Sequence, residues 1–196
     1  GGGGGGGAAD GAVWRALRSP ATWVMAMLWF SASLAFYGIS LSASVLSRGM
    51  SLYGSALLSS GSELPSAILS MTMLEHPKLG RRLSTAVMYA LGGACCVSLP
   101  FLPGAAAPLA AVAGKFFITS AFDGIYVYAS EVFETSIRGS ALGLCSSAAR
   151  VGSILAPQAI AMLPTEQVMA LFGLCALAAA AACHTVLPET RVAKEA

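Results

Sequence analysis

The sequence predicts an all-α membrane protein built of six transmembrane helices. Three observations predict it. Of its 196 residues, 56% are hydrophobic and only 10% are charged, where a soluble domain carries about 25% charged residues. Six stretches reach the roughly 20 predominantly apolar residues that a spanning helix needs. Basic residues between these stretches gather on alternate connections, and so on one side of a membrane.

The elements follow in order. Seven glycines open the chain. A glycine tract buries no apolar surface, so residues 1–11 are expected to be disordered. Residues 12–21 form a lead-in. The missing first methionine reads as a fragment, a processed chain or an incomplete gene model. No basic segment with a cleavage site precedes the first apolar run. The spans are expected at about 22–46, 52–74, 83–102, 108–130, 139–162 and 167–187, so that 22–187 is the membrane bundle. Short connections, such as 75–82 and Pro103-Gly104, make neighbouring spans antiparallel. An even number of spans puts both ends on one side. Arg15, Arg18, Lys78, Arg81, Arg82, Arg138, Arg191 and Lys194 share that side, and Arg48 stands opposite. The positive-inside rule makes both termini cytoplasmic, with 188–196 as a tail.

Composition also excludes function classes. A net charge of +2 without a basic run does not suit nucleic acid. The five cysteines lie inside apolar stretches without zinc-type spacing, and read as small packing residues. No cofactor and no metal are expected.

Polar residues inside the spans carry the rest. An ionised side chain at a helix centre costs about 2.5–3.5 kcal/mol on insertion scales, so its placement is informative. Ser33, Tyr37, Ser40 and Ser44 recur at helical steps in the first span. Ser59, Glu63, Ser66 and Ser70 do so in the second. Gly143, Ser146, Arg150, Ser153 and Pro157 do so in the fifth. Lys115, Thr119, Asp123 and Tyr126 share a face of the fourth less strictly. The third and sixth spans hold no charge in their central parts and read as lipid-facing supports. Four helices are thus expected to line a polar cavity, with Tyr37, Glu63, Asp123, Tyr126 and Arg150 as candidate substrate-binding residues. Plainer roles stand beside these. A membrane serine also packs closely or bonds its own backbone. Glu63 could serve backbone groups freed by Pro65, Arg150 and Asp123 could form a structural ion pair, and the tyrosines could be core aromatics.

Gly114-Lys115-Phe116 and the run from Tyr126 to Phe133 resemble the tenth helix of the organic cation, anion and carnitine transporters of the major facilitator superfamily. The run from Ala148 to Pro157 is similar to the eleventh, the run from Phe36 to Leu41 to the seventh, and Glu63-Leu64-Pro65 to the eighth. Gly80-Arg81-Arg82 resembles the loop after the eighth, and Leu187-Pro188-Glu189-Thr190 the end of the twelfth. The resemblance covers about residues 13–190 in the family's order. Glu134 stands where the family usually has proline, and Glu75-His76-Pro77-Lys78 replaces the family's acidic-plus-arginine loop start.

The resemblance implies the C-terminal half of a twelve-helix secondary transporter, multi-pass in the plasma membrane, moving a small organic ion by alternating access. It implies a partner too: the N-terminal half or a second six-helix chain. Glu131 falls in a Glu-x-Phe-x-Thr-x-x-Arg motif with Thr135 and Arg138, which implies gating by Glu131 against Arg81, Arg82 or Arg138. In the family, arginine at the Arg150 position goes with the anion and carnitine branches, which implies an organic anion or zwitterion. Two alternatives stand. One is a truncated half that assembles with or regulates a full-length transporter. The other is an intramembrane serine protease pairing Ser146 or Ser147 with His184, but neither serine has a Gly-x-Ser-Gly setting and His184 lies far from both in depth. The chain is therefore not expected to be an enzyme.

Overall fold

The computed structural model describes residues 5–42, 52–76, 79–103 and 106–190. They are helical throughout apart from short connections. In order they form α1 (Gly5–Arg18), α2 (Pro20–Leu41), α3 (Leu52–Gly61), α4 (Glu63–Glu75) and α5 (Gly80–Ser98). A 3-10 turn (Leu99–Phe101), α6 (Ala106–Val132), α7 (Arg138–Met162) and α8 (Thr165–Val186) follow.

Proline and glycine set several of these boundaries. Ser19 is extended because Pro20 follows it, and Pro20 then opens α2. Gly80, at φ +69°, turns the chain into α5, a conformation that costs a side-chain-bearing residue strain. Pro164 immediately precedes α8.

The architecture is that of an all-α membrane protein. Among the described residues four helices, α2, α5 with its 3-10 extension, α6 and α8, are long and apolar enough to cross a membrane. The expected second and fifth spans differ from this pattern. The second is divided at Ser62 into α3 and α4, of 10 and 13 residues. Pro65 lacks an N–H, and its ring crowds the carbonyl four residues earlier, at Gly61, where α3 ends. The fifth is the 25-residue α7, whose Gly, Ser and Arg150 dilute its apolar content. The segment 1–11, expected to be disordered, is helical from Gly5, as part of α1. Ala12, Ala16, Leu17 and two arginines favour that helix, and Ala16 is fully buried at its foot. Ser44 and Arg48 lie outside the described residues, as does the side chain of Ser59.

Helix α2 is central and packs against α7, α8 and α6. Helix α5 packs on α8 and α6, and α4 on α6. In a bilayer such pairs are held by close van der Waals fit rather than by exclusion of water. Gly93 and Gly173 meet where α5 crosses α8, and a methyl built on Gly173 would lie 2.6 Å from the Gly93 carbonyl oxygen. The phenol of Tyr89 donates to the Leu28 carbonyl at 2.7 Å and ties α5 to α2. All five cysteines are free thiols within the helices.

Candidate functional site

The packing of α2 against α6 and α7 leaves a polar concavity of about 200 Å³. Helix α2 contributes Trp29, Ser33 and Tyr37, α6 contributes Phe122 and Tyr126, and α7 contributes Ser146, Arg150 and Ser153. The residues of each helix are three to four positions apart, or multiples of that, and so share one face. The floor is aromatic. Trp29 packs against Tyr126 with ring centres 4.3 Å apart and planes tilted by 55°, and Phe122 sits 5.5 Å from Tyr126. Among the described residues, the exposed Arg150 is the one cation on the wall. Its five donors form a planar fork that stays charged in any environment. Aromatic faces can stack on a flat apolar group, and a guanidinium fork can take a carboxylate or sulfate with paired hydrogen bonds.

Three of the five residues expected to bind substrate, Tyr37, Tyr126 and Arg150, meet here. Glu63 and Asp123 do not line the concavity. Glu63 accepts an ion pair from Lys115 at 2.9 Å, with the Lys115 side chain 4% exposed and that of Glu63 43% exposed. The Lys115 ammonium also lies 5.0 Å from the centre of the Phe36 ring, and Phe36 meets Tyr37 edge to face. An ionic pair thus stands behind the aromatic wall, one ring removed from the cavity. Asp123 is exposed and within electrostatic reach of Glu63 and Tyr126. Among the described residues no ion pair joins it to Arg150.

The serine columns divide. Ser33, Ser146 and Ser153 line the cavity. Ser66 and Ser70 are buried, and Ser66 offers its carbonyl to the Ser120 hydroxyl at 3.0 Å. Those two serines join α4 to α6 instead of lining the cavity. Trp29 and Phe122 line the wall without having been expected there, and Lys115, expected on the polar face of the fourth span, instead pairs with Glu63 behind it. Lys115 carried a usable signal, since a buried ammonium requires an anionic partner and Glu63 was the nearest candidate in depth.

A second cluster joins the start of α5, the end of α6 and the chain beyond α8. Arg81 forks onto Glu131, Nε to Oε2 at 3.1 Å and Nη2 to Oε1 at 3.3 Å. Its other terminal nitrogen donates to the Leu74 carbonyl. The Thr190 hydroxyl also donates to Glu131, at 2.8 Å. The Glu189 carboxylate accepts the backbone N–H groups of Arg81 at 2.7 Å and Arg82 at 3.2 Å. It thereby caps α5, whose N-terminal dipole favours an anion. A side chain at Gly80 would push that carboxylate aside, and the φ of +69° itself favours glycine there. The Tyr128 phenol donates to the Pro188 carbonyl at 2.6 Å.

Of the gating residues expected from the sequence, Arg81 and Glu131 are therefore partners. Arg82 enters through its backbone. Arg138 donates to the Phe133 carbonyl at 3.2 Å and holds the turn between α6 and α7. Glu189 and Thr190 belong to this cluster without having been singled out for it. Their signal was the Pro188-Glu189-Thr190 run, whose role no periodicity reveals.

No protein-family model matches the chain. Solute carrier family 22 member 15 of Xenopus tropicalis is 36% identical over 145 residues, covering 69% of this chain and 27% of that protein. Solute carrier family 22 member 13 of Homo sapiens is 33% identical over 178 residues, or 86% of this chain and 31% of that protein. Organic cation/carnitine transporter 2 of Homo sapiens is 35% identical over 134 residues, or 67% of this chain and 23% of that protein. The chain spans about a third or less of the length of these curated relatives.

Proposed function

The chain is homologous to solute carrier family 22 members, which are major facilitator transporters, and from that premise we propose that it forms the C-terminal six-span half of a secondary transporter. In this reading α3 and α4 together make the second span and α7 the fifth. The cargo is a small organic anion or zwitterion. The observation that carries the reading is the Arg150 fork in a concavity walled by Tyr37, Tyr126 and Trp29. The other half of the site comes from an N-terminal half or a second six-helix chain, and rocking of the halves exposes the site alternately to each side. Both termini lie in the cytoplasm and the membrane is the plasma membrane.

Orientation has a direct test. Single cysteines at Arg48 and Gly104 are expected to react with an impermeant maleimide applied outside, and cysteines at Lys78 and Arg138 to be protected. The reverse pattern overturns the orientation.

The two carboxylates separate gating from binding. In a chimera joining this chain to the N-terminal part of the human member 13 relative, Glu131→Gln removes the charge and one of the two oxygens that accept the Arg81 fork. Turnover is expected to change about tenfold, the worth of one charge-assisted hydrogen bond, with little change in apparent affinity. Asp123→Asn is expected to change apparent affinity or proton dependence instead. Identical kinetics in the two variants would show that the division of roles is wrong.

A further inference from the structure

The corner between α1 and α2 carries chemistry that neither the cavity nor the Arg81 cluster uses. Extended Ser19 breaks the helix axis there. Across the bend the Trp23 indole N–H donates to the Leu17 carbonyl at 2.8 Å. Trp23 is nevertheless 61% exposed, and Trp14 is 64% exposed. Arg15 and Arg18 are exposed in the last turn of α1, and neither forms an ion pair among the described residues. Leu17, which lies between them in sequence, bounds with Thr22 and Trp23 an apolar slot of about 90 Å³. Thr22 is 2% exposed, and its hydroxyl is buried without a partner among the described residues.

Each feature has a physical demand. Indole rings at the end of a spanning helix favour the headgroup level, where one edge is wet and the face is apolar. Guanidinium groups at that level attract anionic headgroups and match phosphate oxygens with paired hydrogen bonds. A buried hydroxyl at the mouth of an apolar slot needs an acceptor that arrives attached to something apolar. One molecule meets all three demands. We propose that the α1–α2 corner is a binding site for an anionic phospholipid. Its headgroup lies on Arg15 and Arg18, an ester carbonyl accepts from Thr22, and the first methylenes enter the slot beside Trp23. The site is continuous with α2, a helix suited to cross the membrane, so the lipid comes from the bilayer itself.

Trp14 quenching in lipid nanodiscs tests this. The protein and its Trp14→Phe variant are reconstituted with brominated phosphatidylglycerol or brominated phosphatidylcholine at equal mole fraction. The difference between the two proteins isolates Trp14 from the chain's other two tryptophans. Several-fold stronger quenching by the anionic lipid is expected. Arg15→Gln with Arg18→Gln should abolish the preference, while Arg15→Lys with Arg18→Lys, which keeps the charge, should retain it. Inorganic phosphate in the buffer should not compete. Equal quenching by both lipids overturns the proposal, because tryptophan partitioning alone then explains it. Absence of quenching by either lipid also overturns it, because the corner is then off the bilayer. A preference that survives in the glutamine pair does the same.

Discussion

Replacing Arg150 by alanine is expected to collapse uptake of an organic carboxylate. In the chimera described above, apparent affinity for a radiolabelled aryl carboxylate should fall at least about 100-fold, since a charged fork supplies two bonds of roughly 1.5–3 kcal/mol each. Arg150→Lys keeps the charge but loses the fork, and should fall between the two. Binding of a tetraalkylammonium probe should not weaken in either variant. The rival role for Arg150 is to neutralise Asp123. That role requires the double change Arg150→Ala with Asp123→Ala to restore uptake. No ion pair joins the two groups, and both are exposed. The double variant is therefore expected to remain as poor as Arg150→Ala. Restoration would sink the anion site and leave a bundle-stabilising pair.

Removing the carboxylate of Glu63 is expected to cost more stability than removing the charge of Lys115. The two partners are unequally buried, at 43% and 4% side-chain exposure. Glu63→Met removes an anionic partner from an ammonium whose side chain is only 4% exposed, and breaking a buried pair in that way costs about 3 kcal/mol or more. Lys115→Met strands a carboxylate that still reaches polar surroundings, so the loss should be nearer 1 kcal/mol. The double change Glu63→Met with Lys115→Met removes both charges and should recover most of the stability. Unfolding of the chain in mixed micelles, followed by circular dichroism, measures all three. A larger loss for Lys115→Met than for Glu63→Met would refute the burial argument. Additive losses in the double variant would show that the two side chains do not act as a pair.

The sequence by itself determined the membrane class, because apolar length and charge deficit are sums along the chain. It marked the helix start at Pro20 too, since proline acts on its own backbone and on the residue before it. The polar faces of α2 and α7 were also legible, because helical period puts Ser33 and Tyr37, or Ser146, Arg150 and Ser153, on one side. What period cannot give is which helix lies opposite that face. Tertiary packing turned Ser66 and Ser70 toward α6, set Lys115 against Glu63, and brought Trp29 and Phe122 to the cavity. It also selected Arg81 over Arg82 and Arg138 as the partner of Glu131. Three arginines of equal charge are equivalent in a sequence. Among the described residues, the approach of α5 to the end of α6, with Glu189 fixing the first turn of α5, puts the Arg81 guanidinium within hydrogen-bond reach.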